Sequence, residues 1–324
     1  KFVKHYNLPV HSKNFFYFPY IAFRINKLIK ENNINILHIR SRAPAWLLPF
    51  IDKTNIKTVS TFHNVYGHNN YFKKIYNKGL AKTNYIVAIS KYVSEEIILR
   101  YNLNPEKILI INRGIDTDFY NPKINNKLKI INFKKKMKIH SDKKIIIYPG
   151  RLTDWKGQIE FLNIVKECKN NEYMFYFVGD TKNKTYTKKL MNEINKYKLF
   201  NCKILGHLNK NELKSMYSIA DLVISAPLKP EGFGRVISES LAMKKIIFAY
   251  NFGGAKDQLD GLNDLYKIKC FDQNQLIKKI NETLALSENQ LTKIKDDGRK
   301  NVINFFSKHQ MLQKYISLYE DISF

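Results

Sequence analysis

Cysteine is scarce: three residues in 324, at 168, 202 and 270, with no Cys-x-x-Cys spacing. That pattern excludes a disulfide framework and a structural zinc ribbon, and it fits a reducing compartment. Acidic residues are also few, 28 Asp and Glu against 55 Lys and Arg, which leaves a net charge of +27. No stretch approaches the ~20 consecutive apolar residues that a membrane span needs. The opening KFVKHYNLPVHSK lacks the apolar run of a secretory signal. The sequence has no initiator Met and opens as though inside a domain, so a truncated N-terminus is expected. Nothing repeats at a fixed period.

The excess of positive charge allows three readings. A nucleic-acid binder would carry basic clusters interleaved with aromatics on one face, or a known reader motif. Here the aromatics fall within apolar strand and helix patterns, so no nucleic-acid partner is expected. An anionic membrane surface would attract a basic protein that lacks a spanning helix. Compositional drift would give the same excess, since Lys, Asn and Ile are abundant throughout. The last two stay open, because net charge bears on association and not on fold.

Hydrophobic residues make up 44% of the chain, enough for two cores at this length. Ten short β-branched runs predict strands at 34–41, 57–63, 84–90, 107–114, 144–151, 173–180, 202–208, 221–227, 245–251 and 265–269. Most are continuous apolar runs, as strands buried on both faces are. Helix-length segments at 91–101, 157–170, 187–198, 210–219 and 234–243 alternate with them. The alternation predicts an α/β protein with two doubly wound parallel sheets. The seam falls in 115–142, a lysine-rich linker with one basic helix, either a solvated connector or a surface for lipid head groups. Apolar residues at helical spacing from Val302 to Tyr319 predict two closing helices split near Ser307.

In open α/β sheets, ligands bind outside the carboxyl ends of the strands. After the strand at 144 comes YPGRLTDWKGQ. Gly150 frees the backbone there, and Arg151 and Lys156 supply the forked and point cations that suit a diphosphate; a surface turn packed by Trp155 is the plainer account. After the strand at 221 comes PEGFGRVISES, a tight loop opening a helix whose first amides suit phosphate or a sugar edge. Glu231 and Glu239 beside such a site make sense as acceptors from hydroxyls, or else as a helix-dipole partner and an exposed acid. STFHNVYG puts His63 at a strand end, and NFGGAKDQL puts Gly253 and Gly254 after another strand. In HIRSRAPAW, Ser41 and Arg42 close the first strand at its carboxyl end, either facing an anionic or sugar acceptor or simply capping it.

Together these stretches resemble the retaining family-four glycosyltransferases of the GT-B fold. The resemblance rests on TFHNVYG, AISKYVSEEI, INRGIDTDFY, GRLTDWKGQ, the E-x7-E block EGFGRVISE, NFGGAKDQL and FSKHQMLQKYISLYE, in family order from about residue 34. SRAPAW resembles a feature of bacterial envelope-glycan transferases. The resemblance implies two Rossmann-like domains facing a central cleft. They are an incomplete acceptor-side domain over 1–120 and a nucleotide-sugar domain over 121–303, with a helix over 304–324 crossing back to the first. It implies that Gly150, Arg151 and Lys156 bind the donor diphosphate and that Glu239 holds the ribose. Glu231 and the amides of Gly232, Phe233 and Gly234 would meet the donor sugar, His63 would reach that sugar, and the base would lie by His207 and Leu208. It further implies sugar transfer from a nucleotide-sugar to a glycan or lipid-linked acceptor with retained configuration, in envelope polysaccharide or lipopolysaccharide synthesis. No metal and no other cofactor is expected, because no DxD-type pair lies near the pocket. A cytoplasmic enzyme, peripheral at an anionic membrane's inner face, is the expected setting. The alternatives are a basic nucleic-acid- or membrane-binding protein and an inactive GT-B remnant. The sequence departs from the family at Lys244, Lys245 and Ile246, where relatives usually carry Gly-x-Pro, and at Asp257, where Glu is commoner.

Overall fold

All ten expected strands form, and every pairing between them is parallel. The computed structural model describes residues 3–12, 14–67, 70–124, 126–139, 142–168 and 172–323. The chain divides into one unit of Lys1–Asn112 with Met311–Phe324 and a second of Arg113–Gln310. Residues 113–120 go with the second unit because backbone holds them there: Ile115 donates to the Phe306 carbonyl and accepts from Lys308, both at 2.8 Å.

The first unit holds β1 (Ile36–Ile39), β2 (Lys57–Phe62), β3 (Tyr85–Ala88) and β4 (Ile108–Ile110), in that spatial order. Its helices are α1 (Phe18–Glu31), α2 (Tyr71–Lys78) and α3 (Lys91–Tyr101). α3 keeps its expected bounds because Ser90 caps its first turn and Asn102, at φ 51°, ends it in the left-handed region. The Pro-Ala-Trp stretch forms a 3-10 helix, Pro44–Phe50, since Pro49 within it cannot donate to a longer helical ladder. α1 buries Phe18, Ile21 and Ala22, packed with Leu47, Ile51 and Ile56.

A second face of this sheet presents Val59, Val87 and Ile111, and the chain returns to cover it. Leu318 and Ile322 of the closing helix, Lys308–Ile322, complete that cluster. A polar network runs beside it. His38 shares hydrogen bonds with Tyr319 (Nδ1, 2.6 Å) and Thr61 (Nε2, 2.7 Å), and Thr61 reaches Tyr315 at 3.2 Å. Burial, then the charges of Arg40 and His63, lowers the His38 pKa from 6.5 to about 4. Above pH 6.5 the ring is neutral in both folded and unfolded chains. Between 6.5 and 4 only the unfolded chain takes up the proton, so stability falls as pH falls through that window. Allowing for the ring's partial exposure, the loss should be about 1–2 kcal/mol. Urea midpoints at pH 7 and 4.5 check this: His38→Gln should flatten the acid slope, and an unchanged slope would remove His38 as its source.

The second unit holds β5 (Lys144–Pro149), β6 (Tyr173–Val178), β7 (Cys202–Gly206), β8 (Leu222–Ser225), β9 (Ile246–Tyr250) and β10 (Lys267–Ile268). Their order is β10-β9-β8-β5-β6-β7, so the chain winds outward one way from β5 and then reverses at β8. The helices are α4 (Lys127–Lys136), α5 (Gln158–Glu167), α6 (Lys184–Lys196), α7 (Lys210–Ile219), α8 (Arg235–Ala242), α9 (Gly254–Leu259), α10 (Gln273–Ala285) and α11 (Glu288–Phe305), with α12 the closing helix already given. Of the helix expected at 157–170, residues 169 and 170 lie outside the described residues. β6 is buried along its whole length, and β5 along all but Lys144, which is why both are unbroken apolar runs in the sequence.

Candidate functional site

The reversal between β5 and β8 opens a crevice at the carboxyl ends of adjacent strands, where such sheets bind ligands. Seven expected donor-side residues come from the two loops that leave it, 150–156 and 226–234. The first is held by Tyr148, whose buried hydroxyl donates to the Lys156 carbonyl and accepts from Ala226 N at 3.2 Å. Leu228 N donates to Trp155 O at 2.8 Å, so the loops are joined twice. Burial holds the Tyr148 pKa well above its ordinary value, leaving the hydroxyl a neutral bridge.

Lys156 and Glu231 meet as an ion pair, Nζ to Oε1 at 2.6 Å, with side chains only 10% and 19% exposed. The ammonium also lies 4.8 Å from the Trp155 ring centroid. Arg151 is exposed at the loop's start, 6.0 Å from the same ring. Two cations and one carboxylate thus cluster at the switch point, with one cation half neutralised and the other open to an anion.

Gly179, which sequence reasoning passed over, fixes where Arg151 can be. A Cβ on Gly179 would fall 1.8 Å from the Gly150 carbonyl oxygen. Gly150 N donates to Val178 O and Leu152 N to Asp180 O, so the loop after β5 lies along the end of β6. The signal was a glycine directly after a buried strand, in YFVGD.

The loop after β8 is stitched to the one after β9. Gly254 N donates to Glu231 O at 2.8 Å, and a Cβ on Gly254 would lie 2.4 Å from the Gly232 oxygen. Fully buried Gln258 donates to the Phe233, Gly234 and Gly254 carbonyls and accepts from Ser238. It therefore sets the backbone of Phe233 and Gly234. Gly234 begins α8 at φ +81°, a conformation natural to glycine.

Glu239 is 4% exposed and engaged on both oxygens. Arg235 donates to one at 2.7 Å and Tyr217 to the other at 3.1 Å, with Tyr120 a third partner. Burial raises its pKa, and those three partners pull it back down. For Glu239 to accept ribose hydroxyls, the half-exposed Arg235 has to give way. His207 is exposed and Leu208 buried after β7, on the same strand-end edge, where Gly179 N donates to Gly206 O.

The remaining expected residues belong to the first unit. His63 is half-buried just past β2. Ser41 is exposed. Arg42 is half-buried, its guanidinium 4.3 Å from the Tyr66 ring centroid and donating to Asn77 Oδ1 at 3.0 Å. Asn77 in turn donates to Gly67 O. Arg42 therefore braces the loop that carries His63, a structural tie invisible in the sequence.

Among the described residues, no group of three or more His, Cys, Asp or Glu is placed to hold a metal ion, and no helix is long and apolar enough to cross a membrane. The three cysteines are free.

Two parallel α/β sheets in one chain, the second of this order with cations at its switch point, define the GT-B class. Comparison with known proteins agrees. The profile described as glycosyl transferases group 1 matches residues 129–301, and that described as glycosyltransferase family 4 matches residues 2–119. The chain belongs to the group 1 glycosyl transferases, and it is a glycosyltransferase. A glycosyltransferase structure from Rickettsia africae is 33% identical, with a TM-score of 0.87 over 99% of this chain and 84% of that one. Anabaena HepE in complex with UDP shares the fold at 18% identity, TM-score 0.81, covering 93% of this chain and 82% of that one. An uncharacterized glycosyltransferase of Methanocaldococcus jannaschii is 26% identical over 98% of this chain and 85% of its own length. The lipopolysaccharide 1,2-N-acetylglucosaminetransferase of Salmonella typhimurium is 24% identical over 57% of this chain, which spans 50% of that relative.

Proposed function

We propose that the chain transfers a sugar from a nucleotide-sugar donor to a glycan or lipid-linked acceptor, with retention, in envelope polysaccharide or lipopolysaccharide synthesis. The observation that carries this reading is the meeting of Arg151, Lys156 and Glu231 at the β5–β8 switch point, beside the first turn of α8. The Salmonella relative's name supports the envelope role, and HepE's complex with UDP supports a uridine donor.

In this reading the bond between the anomeric carbon and the diphosphate oxygen breaks, and the acceptor oxygen bonds to the same face of that carbon. The acceptor's proton passes to the departing phosphate. Arg151 and Lys156 stabilise the charge that develops on the diphosphate, from positions the fold fixes beforehand. Glu231 meets a hydroxyl of the donor sugar once Lys156 turns toward phosphate, and His63 is a second contact to that sugar. The protein's cations do the work a metal does elsewhere, so transfer proceeds without one, at the cytoplasmic face of the membrane.

Thermal-shift titration with UDP-, GDP- and ADP-sugars tests the donor. One nucleotide series should raise the melting temperature, since a ligand bound only to the folded state stabilises it by mass action. No shift with any series would overturn the reading.

A further inference from the structure

The turn that closes α8 opens into a cavity away from the candidate site. Lys244 takes the left-handed position after the helix, at φ +53°, while Lys244 N donates to Leu241 O and Lys245 N to Ser240 O. This is the Schellman arrangement, which favours glycine at that point; a side chain there costs about 1 kcal/mol. Both lysines line a cavity of about 410 Å3 at the amino ends of β5, β8 and β9. The donor-side residues lie at the opposite, carboxyl ends of these strands.

The cavity holds one cation more than it has carboxylates. Of its four lysines, Lys144 pairs with Asp221 at 3.9 Å, Lys295 with Glu288 at 2.8 Å, and Lys244 with Asp296. Lys245 has no carboxylate within ion-pair distance among the described residues; its ammonium donates to the Ser218 carbonyl at 2.9 Å. Burial, and then the neighbouring Lys295 charge, pulls its pKa down to about 8, against the smaller upward pull of Asp221 and Glu288. A cation so placed is costly unless an anion joins it. Thr283, 2% exposed, lines the same cavity, and its hydroxyl has no hydrogen-bond partner among the described residues. Leu284, Leu286 and Leu291 supply an apolar wall. The volume falls in the range of small-molecule sites, roughly 300–1,000 Å3.

We propose that this cavity is a second binding site, for a small organic phosphate bearing an apolar group, held by Lys245 with Lys295 and Thr283. The phosphate meets the unmatched ammonium and the unspent hydroxyl, and the apolar group lies on the leucines.

Phenyl phosphate at 10 mM is a suitable probe, read by thermal shift at pH 7 against inorganic phosphate and benzyl alcohol. The wild type should gain about 2 °C with phenyl phosphate and less with either control. Lys245→Met should lose the gain while melting no lower than wild type in buffer, since it removes a desolvated charge. Thr283→Val, nearly isosteric, should reduce the gain and guards against a folding defect in the first variant. Lys156→Met, at the donor side, should keep it. An equal gain in Lys245→Met, its loss in Lys156→Met, an equal response to inorganic phosphate, or no gain in the wild type would each overturn the assignment.

Discussion

Lys156→Met should lower kcat/KM for sugar transfer by about 10²–10³-fold, the usual cost of removing one preorganised group that stabilises developing negative charge. It should also destabilise the fold. Glu231 lies 2.6 Å from the Lys156 ammonium and is only 19% exposed, so removing the lysine strands a poorly solvated carboxylate. For a pair with this residual exposure the cost is about 2–3 kcal/mol, below that of a fully buried pair. Glu231→Gln added to Lys156→Met should recover most of that stability without recovering activity. Urea unfolding of the two single variants and the double gives the coupling energy. Simple additivity would show that the pair carries no coupled energy, and near-normal transfer in Lys156→Met would remove the lysine from the donor site.

Gly179→Ala should cost at least about 3 kcal/mol. The added methyl would lie 1.8 Å from the Gly150 oxygen and 2.6 Å from its carbonyl carbon. Both are backbone atoms, so no rotamer change relieves the clash, and the loop after β5 has to move. That loop carries Arg151, so donor-induced thermal shifts should vanish together with the stability. Gly67→Ala is the control: nothing lies within 4 Å of its Cβ position, and its effect should stay within about 0.5 kcal/mol. Equal stabilities for the two variants would show that the β5–β6 contact at Gly150 is not a constraint.

The strands were legible because their signal is local. Each is a short β-branched run between polar turns, and burial on both faces keeps the run continuous. α3 and α7 were legible for a similar reason, with Ser90 and Asn209 marking their first turns by side-chain caps. α1 carries a good helical pattern at Phe18, Ile21, Ala22, Ile25 and Ile29, yet exposed Tyr17, Tyr20 and Phe23 interrupt it with aromatics on the wrong face. At the candidate site, residue types and order were readable, but their partners were not. Glu231 and Lys156 are 75 positions apart, and nothing local says that they meet. Gln258 and Gly179 matter only through backbone brought from other loops. Arg42 illustrates the limit best: its charge is visible in the sequence, but the Asn77 and Tyr66 that occupy it are products of folding.

The returning helix Lys308–Ile322 has a consequence for the order of synthesis. Residues 113–310 form one uninterrupted length that holds all six strands of its own sheet, so that sheet needs nothing from later in the chain to close. The earlier-made first unit cannot do the same, because Leu318 and Ile322 are needed to cover Val59, Val87 and Ile111. The earlier unit is therefore completed only after the later one, and until then it presents an apolar sheet face to its surroundings. A chain stopped at residue 310 should keep a folded second unit and aggregate through the first.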